Sequence, residues 1–247
     1  MIESAGIAVA ALLVGGSVGA TGVGGVLLVP ALWAALDMPL RTAMGTVLVS
    51  NVANGVLASV LFQRRGSIDW RIAIPLCAGA ALSAFAGGIL NAMLPASFLL
   101  LLLGVVLIAG SAAVLFRTVA VTELGSRPTV GRAVLLGAIG LVSGLVGGLT
   151  GAGGPIVSVP LMTICGFPFL GTVAAGQVLQ IVASVSAAAA YATDDSIAFE
   201  ILGWFVPLQL AGIWIGVRIA HVIDVALARR IIAGIGTAVG ILLIALA

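Results

Sequence analysis

The chain has 247 residues, of which 62% are hydrophobic and only 7% are charged. Globular domains contain roughly 45–50% apolar residues, so this composition excludes a water-soluble domain and predicts a membrane protein. All ten basic residues are arginine, and the formal net charge of +2 carries little information about partners. We expect no nucleic-acid partner.

Uncharged apolar stretches predict about ten helical segments in an all-α polytopic membrane protein. They cover residues 5–20, 23–36, 42–62, 72–94, 96–116, 133–149, 153–165, 171–191, 201–217 and 231–247. Several reach the roughly 17–25 residues that a helix needs to cross a bilayer. The first stretch follows no basic region, so we expect it to be retained and not cleaved as a signal peptide.

A glycine-rich TGxGG motif occurs twice, and each copy lies between two short stretches. The copies read Thr21-Gly-Val-Gly-Gly25 and Thr150-Gly-Ala-Gly-Gly154. The flanking stretches, 5–20, 23–36, 133–149 and 153–165, are predicted to be only about 20–25 Å long. Each is either a tilted short crossing or one arm of a re-entrant hairpin.

The repeat extends beyond the motif. Pro39 and Pro168 are 129 residues apart, and the same offset relates two aromatic residues and a Ser-Ile pair further along the first half to their counterparts in the second half. We therefore predict a first membrane repeat over 1–116, a cytoplasmic linker over 117–132 and a second repeat over 133–247. Each repeat would contain a helix pair interrupted at the motif and three further membrane helices.

The charges predict that the two repeats have opposite orientations. Nine arginines flank two loops and the linker, which the positive-inside rule assigns to the cytoplasm. The second-half loop equivalent to Arg64 and Arg65 carries Asp194 and Asp195 and no cation. Equivalent loops would then lie on opposite sides, and both termini would lie outside the cell membrane.

Interrupted helices in inverted repeats are typical of transporters, in which a substrate binds near the bilayer midplane. Non-helical backbone in a membrane persists only inside protein or beside water, and glycine lets a ligand approach the backbone. A helix beginning after such a break presents free N–H groups to an anion. The candidate substrate-binding residues of the motifs are Thr21, Gly22, Gly24, Gly25, Thr150, Gly151, Gly153 and Gly154. The alternative is that these glycines only allow close helix packing.

Polar residues inside the apolar stretches extend the candidate site. They are Thr46, Ser50 and Asn51 in the first half and Gln177 and Gln180 in the second. Interhelical hydrogen bonding without substrate contact is the alternative interpretation. Arg41 is the one arginine that the charge rule leaves unexplained. It would attract an anion, or else pair with Asp37 or extend into the interface.

The repeated TGxGG motif, each copy followed by a proline, and the Pro39-Leu-Arg-Thr-Ala-Met-Gly-Thr46 run resemble the TauE/SafE family of membrane anion transporters. The resemblance covers essentially the whole chain. It implies a secondary transporter of sulfite, sulfoacetate or related sulfonates in the cell inner membrane, with the glycine motifs forming the central site. Pro155 directly after the second copy makes the two halves chemically unequal.

A passive anion channel and an intramembrane enzyme are the alternative functions. The apolar stretches hold no His, paired carboxylates or Cys/His set, so we predict no catalytic residue, no metal and no cofactor. Cys77 and Cys165 lie far apart and predict neither a disulfide nor a metal site. The expected partners are a small anion, the lipid bilayer and, as a candidate coupling ion, the proton. The composition does not indicate which oligomeric state the protein adopts.

Overall fold

The computed structural model describes residues 11–16, 25–115, 130–219 and 225–247. Within these ranges the regular structure is helical throughout, and the all-α prediction is confirmed. Residues 11–16 form α1 and Gly25–Leu27 form a 3-10 turn. The remaining helices are α2 (Leu28–Leu36), α3 (Leu40–Arg64), α4 (Trp70–Met93), α5 (Ala96–Leu115), α6 (Val130–Thr150), α7 (Pro155–Ile164), α8 (Phe169–Ala192), α9 (Phe199–Ile219) and α10 (Val225–Ala245).

Five helices are long and apolar enough to cross a bilayer: α3, α4, α5, α6 and α8. Large apolar side chains are exposed on the outer surface of the bundle, including Ile74 and Leu82 on α4. Such a surface is unfavourable in water and suited to lipid. The chain is therefore a multi-pass membrane protein.

The prediction that the segment over 133–149 is a short arm is wrong, because α6 runs for 21 residues from Val130 to Thr150. At 1.5 Å per residue this helix is about 31 Å long, enough to cross the hydrocarbon core. The helix begins inside the predicted linker and includes Arg132, whose charge had ended the apolar stretch. The arms over 23–36 and 153–165 are short as predicted, since α2 has 9 residues and α7 has 10. Most of the arm over 5–20 lies outside the described residues.

The central helices α3 and α8 pack against each other in opposite directions. Gly45 near the start of α3 contacts Tyr191 at the end of α8, and Gly55 contacts Ile181 further back along α8. We call the end of the bundle with Arg41 and Asp194 the acidic end. The opposite end, where α3 finishes at Arg64, is called the arginine end. The buried apolar core lies where these helices cross.

Parallel and antiparallel helix pairs surround α3 and α8. Helices α4 and α6 run parallel, because contacts further along α4 are also further along α6. Gly79 lies against Gly137 and Gly87 lies against Leu145, each so closely that an added Cβ atom would overlap its neighbour. Helices α5 and α10 are antiparallel, with Gly104 against Gly240 and Ser111 against Gly236. Small residues allow such close approach between membrane helices.

The α6–α7 pair begins and ends at the arginine end. The Arg132 guanidinium near the start of α6 lies over the Phe167 ring just after α7, 4.8 Å from its centroid. The structure thereby favours a hairpin over two successive crossings for this pair. The inverted repeat stays a prediction, and antiparallel packing of the corresponding helices α3 and α8 is the arrangement that it requires.

Candidate functional site

The second TGxGG copy forms the break between α6 and α7. Gly151, Gly153 and Gly154 have φ angles of 72°, 77° and 98°. These values lie in the left-handed region, which glycine adopts without the penalty that a Cβ brings. Gly154 caps α7 and Pro155 is the first residue of that helix, a position where proline is favoured because the N–H that it lacks has no helical partner.

The break carries the chain from the acidic end to the middle of the bundle. Gly151 packs on Met44, about one turn into α3. Two residues later, a Cβ on Gly153 would lie 3.1 Å from both Asn51 Nδ2 and Ser184 Oγ. Asn51 and Ser184 lie in the middle portions of α3 and α8. Helix α7 therefore begins near the centre of the bundle.

Asn51 contacts residues of both glycine motifs. A Cβ on Gly25, the last residue of the first copy, would lie 3.1 Å from Asn51 Oδ1. Asn51 Nδ2 donates to the Gly151 carbonyl at 3.4 Å, and the same nitrogen faces Gly153. Gly25 of the first copy and Gly151 and Gly153 of the second therefore meet at one side chain of α3. Thr21, Gly22 and Gly24 lie outside the described residues.

Gln180 connects α8 to the same point, since its Nε2 donates to the backbone carbonyl of Asn51 at 3.1 Å. The two residues are 129 positions apart, the offset that also relates Pro39 to Pro168. Corresponding positions of two inverted copies approach each other beside the axis that relates them. A close contact at this offset is what the predicted inverted repeat would give beside its axis, and the repeat stays a prediction.

Several buried polar atoms at the break, or about one to two turns from it on α7 and α8, have no hydrogen-bond partner within the described part of the chain. They are Asn51 Oδ1, Ser184 Oγ, Ser158 Oγ and both polar atoms of the Gln177 amide. Asn51 and Gln177 are each only 1% exposed, and Ser158 and Ser184 are fully buried. Buried polar groups in native proteins are nearly always paired, so this cluster is suited to a polar ligand or ordered water.

The carbonyl groups at the end of α6 are paired with side chains. Tyr191 Oη donates to the Gly148 carbonyl at 2.8 Å, and Asn91 Nδ2 donates to the Leu149 carbonyl at 2.7 Å. Thr150 Oγ1 donates to the Val146 carbonyl at 2.7 Å. The last carbonyls of a helix have no partner in the helix itself, and leaving them unpaired in a membrane is costly. Tyr191 and Asn91 thus stabilise the helix end, and Thr150 satisfies its own hydroxyl group within it.

Arg41 lies at the acidic end and belongs to the network around α6. Its Nε donates to Asp194 Oδ2 at 2.7 Å, and its Nη1 donates to Asn91 Oδ1 at 2.8 Å. The guanidinium also lies 4.4 Å from the centroid of the Tyr191 ring. The expected Asp37 pair is therefore wrong, because the partner carboxylate comes from the chain segment after α8. The hydrogen bond to Arg41 lowers the pKa of Asp194.

Thr46 and Ser50 use their hydroxyl groups within the fold. Thr46 Oγ1 donates to the Thr42 carbonyl and accepts the Ala198 N–H at 2.9 Å. Ser50 Oγ donates to the Val47 carbonyl of its own helix at 2.8 Å. Of the predicted polar residues, the structure brings Asn51 and Gln180 to the break, and Gln177 lies one turn before Gln180 on α8.

Asn91 and Gln209 were missed from the sequence. Both are buried, and Gln209 Oε1 on α9 accepts a hydrogen bond from Asn54 Nδ2 at 2.7 Å. An amide inside an apolar stretch, the signal that identified Asn51, was also present at these positions. Both contacts connect helices that are distant in sequence.

Titratable side chains do not cluster in the described ranges as a metal site would need. No group of three His, Cys, Asp or Glu side chains there could hold a metal ion. Cys77 and Cys165 are both free thiols. The arrangement at the break is thus one of neutral amides, hydroxyl groups and backbone, which can bind a solute by hydrogen bonds.

Comparison with known families gives a match over residues 7–243 to the family described as Sulfite exporter TauE/SafE. Searches of curated proteins and of solved structures gave no match. The family match spans nearly the whole chain, including both glycine motifs and the helices that carry Asn51 and Gln180. This multi-pass membrane protein belongs to the sulfite exporter TauE/SafE family.

Proposed function

We propose that this protein is a secondary transporter of small sulfur-containing oxyanions, such as sulfite, sulfoacetate or other sulfonates. Membership of a sulfite exporter family supports membrane transport of this class. The main observation behind the proposal is that Gly25, Gly151 and Gly153 all lie beside the Asn51 side chain. Two interrupted segments that converge in the middle of a bundle are typical of transporter binding sites.

The anion would be held by neutral donors at the break. Helix α7 starts at Pro155 in the bundle centre, so the positive end of its dipole faces the site. The unpaired hydroxyl of Ser184 and the Gln177 amide add donors from α8. Thr21, Gly22 and Gly24 would contribute equivalent groups from the first motif.

Alternating access would come from rocking of the two repeats around this site. By the positive-inside rule the arginine end would face the cytoplasm, and both termini would lie outside. The Arg41–Asp194 pair would then join the two repeats on the outer side. The proton remains the candidate coupling ion.

The test is uptake of labelled sulfite or sulfoacetate by proteoliposomes, with and without a pH gradient. A carrier gives saturable flux that a coupled gradient can drive uphill, whereas a channel gives only downhill, non-saturating flux. Gly153→Leu would fill the space beside Asn51 and Ser184 and is expected to abolish flux. Gly203→Leu is the matched control, because a Cβ there meets no atom within 4 Å.

The outcomes separate the candidate functions. Saturable, gradient-driven flux that is lost only in Gly153→Leu supports the proposal. Non-saturating flux in the wild type would establish a channel instead. Chemical conversion of the anion inside the liposomes would establish an enzyme. Equal flux in wild type and an inserted, folded Gly153→Leu variant would refute the site.

A further inference from the structure

The Asn51 amide offers a hydrogen-bond donor and a hydrogen-bond acceptor side by side at the break. Its orientation follows from the Gly151 carbonyl, which can accept from Nδ2 at 3.4 Å but would repel Oδ1. Asn51 Oδ1 therefore faces Gly25, and it has no partner among the described residues. Asn51 is 1% exposed, so this oxygen is also shielded from bulk water.

A fully deprotonated oxyanion does not match this arrangement. Such an ion has only acceptor oxygens, so it would leave Asn51 Oδ1 unpaired or repel it when both are dehydrated. An oxyanion that retains one proton matches both atoms. Its O–H donates to Asn51 Oδ1 while a neighbouring oxygen accepts from Nδ2, as in a paired amide and acid.

The absence of net charge on the groups at the break also favours a singly charged ligand. The groups that meet at the break are amides, hydroxyl groups and backbone, all neutral. Arg41, the arginine nearest along the hydrogen-bond network, is already bound to Asp194 and Asn91. A second negative charge on the ligand would have no partner cation among these groups, and burying an unpaired charge is costly.

We propose that, for an oxyanion such as sulfite that exists in two protonation states, the site selects the protonated, singly charged form over the doubly charged form, and that the Asn51 carbonyl oxygen makes this selection. The inference rests on the proposed function and adds the protonation state of the substrate to it. Ser184 and Gln177 then bind the oxygens that both forms share.

The test measures equilibrium binding to the purified full-length protein at pH values from below to above the second ionisation of sulfite. Methanesulfonate is the companion probe, because it is singly charged and has no ionisable proton in this range. The apparent affinity for total sulfite should fall about tenfold for each pH unit above that ionisation, since only the hydrogen sulfite fraction binds. Methanesulfonate, which offers no proton to Asn51 Oδ1, should bind more weakly than hydrogen sulfite, and its affinity should stay constant with pH.

Two variants assign the selection to Asn51. Asn51→Leu removes the acceptor at similar volume and should flatten the sulfite pH profile while methanesulfonate still binds. Ser184→Ala should weaken both probes to the same extent and keep the wild-type slope. If Asn51→Leu fails to fold, Asn51→Ala removes the same acceptor with a smaller side chain and takes its place in the comparison with Ser184→Ala.

The failures are distinguishable. Sulfite affinity that is constant or rises with pH, beside normal methanesulfonate binding, would overturn the selection and leave the proposed transport function standing. Binding of neither probe at any pH would refute the proposed function and this inference with it. A falling profile that persists unchanged in a folded Asn51→Leu variant would show that another group selects the protonated form.

Discussion

Replacing Asn91 by leucine should destabilise the protein without touching the break itself. Asn91 Nδ2 donates to the Leu149 carbonyl at 2.7 Å and Asn91 Oδ1 accepts from Arg41 at 2.8 Å. The residue is 1% exposed. Leucine has a similar volume, so the change removes these two hydrogen bonds and a third from Asn91 Nδ2 to Met44 Sδ at 3.2 Å, while it leaves the packing of α4 against α6 nearly unaltered.

The expected loss follows from the groups left behind. A buried carbonyl without a donor costs about 1–3 kcal/mol, and Leu149 would be in that state. Arg41 would keep its bonds to Asp194 and the Gly88 carbonyl, so its loss is smaller. Together these terms predict that Asn91→Leu lowers the free energy of unfolding by about 2–4 kcal/mol.

The assay is thermal unfolding in detergent with Tyr191→Phe and Ser97→Leu as comparisons. Tyr191→Phe removes the bond to the Gly148 carbonyl and the long, weak one to Met44 Sδ, and it should cost about 1–2 kcal/mol. Ser97 is exposed at the same end of the bundle, so Ser97→Leu should change little. An unfolding temperature for Asn91→Leu equal to that of Ser97→Leu would refute the view that side chains stabilise the end of α6.

Three further predictions address other parts of the structure. Gly153→Ala should lower stability by about 1–2 kcal/mol because φ is positive, measured by thermal unfolding, whereas Gly203→Ala in open helical space should not. Gly140→Val should prevent correct folding, since a Cβ there would overlap a carbonyl of α4, and size-exclusion chromatography would show aggregation. The ion pair with Arg41 contributes stability above the unfolded pKa of Asp194 and loses it as pH falls through the lowered folded pKa. The stability difference between wild type and Asp194→Asn should therefore shrink in acid, and a constant difference would contradict the pairing.

Much of the architecture was predictable because the hydrophobicity of a short stretch of residues decides whether that stretch forms a helix in the membrane. The apolar stretches predicted the number of helices, and the TGAGG motif predicted the interruption after Thr150. The length of α6 was not predictable from charge, because Arg132 continues the helix and places its guanidinium over Phe167. A charged residue ends an apolar stretch in sequence but need not end a helix.

The candidate site was only partly predictable. Thr46, Ser50 and Asn51 lie within two turns of one helix and have similar polarity. Among the described contacts, only Asn51 lies against glycines of both motifs. Thr46 instead accepts from the Ala198 N–H. Polarity identifies side chains that need partners, but it does not say which partner lies within reach.

The sequence by itself determined the membrane class, the all-helical secondary structure, the doubled motif and the backbone break after Thr150. These follow from hydrophobicity and from glycine conformation, which act over a few neighbouring residues. Only the tertiary structure decided that Arg41 pairs with Asp194, that Asn91 and Tyr191 stabilise the end of α6, and that Asn51 joins the two motifs. Lipid and protein interior are equally apolar, so hydropathy does not show which helix faces meet, and contacts between distant residues depend on how the helices cross.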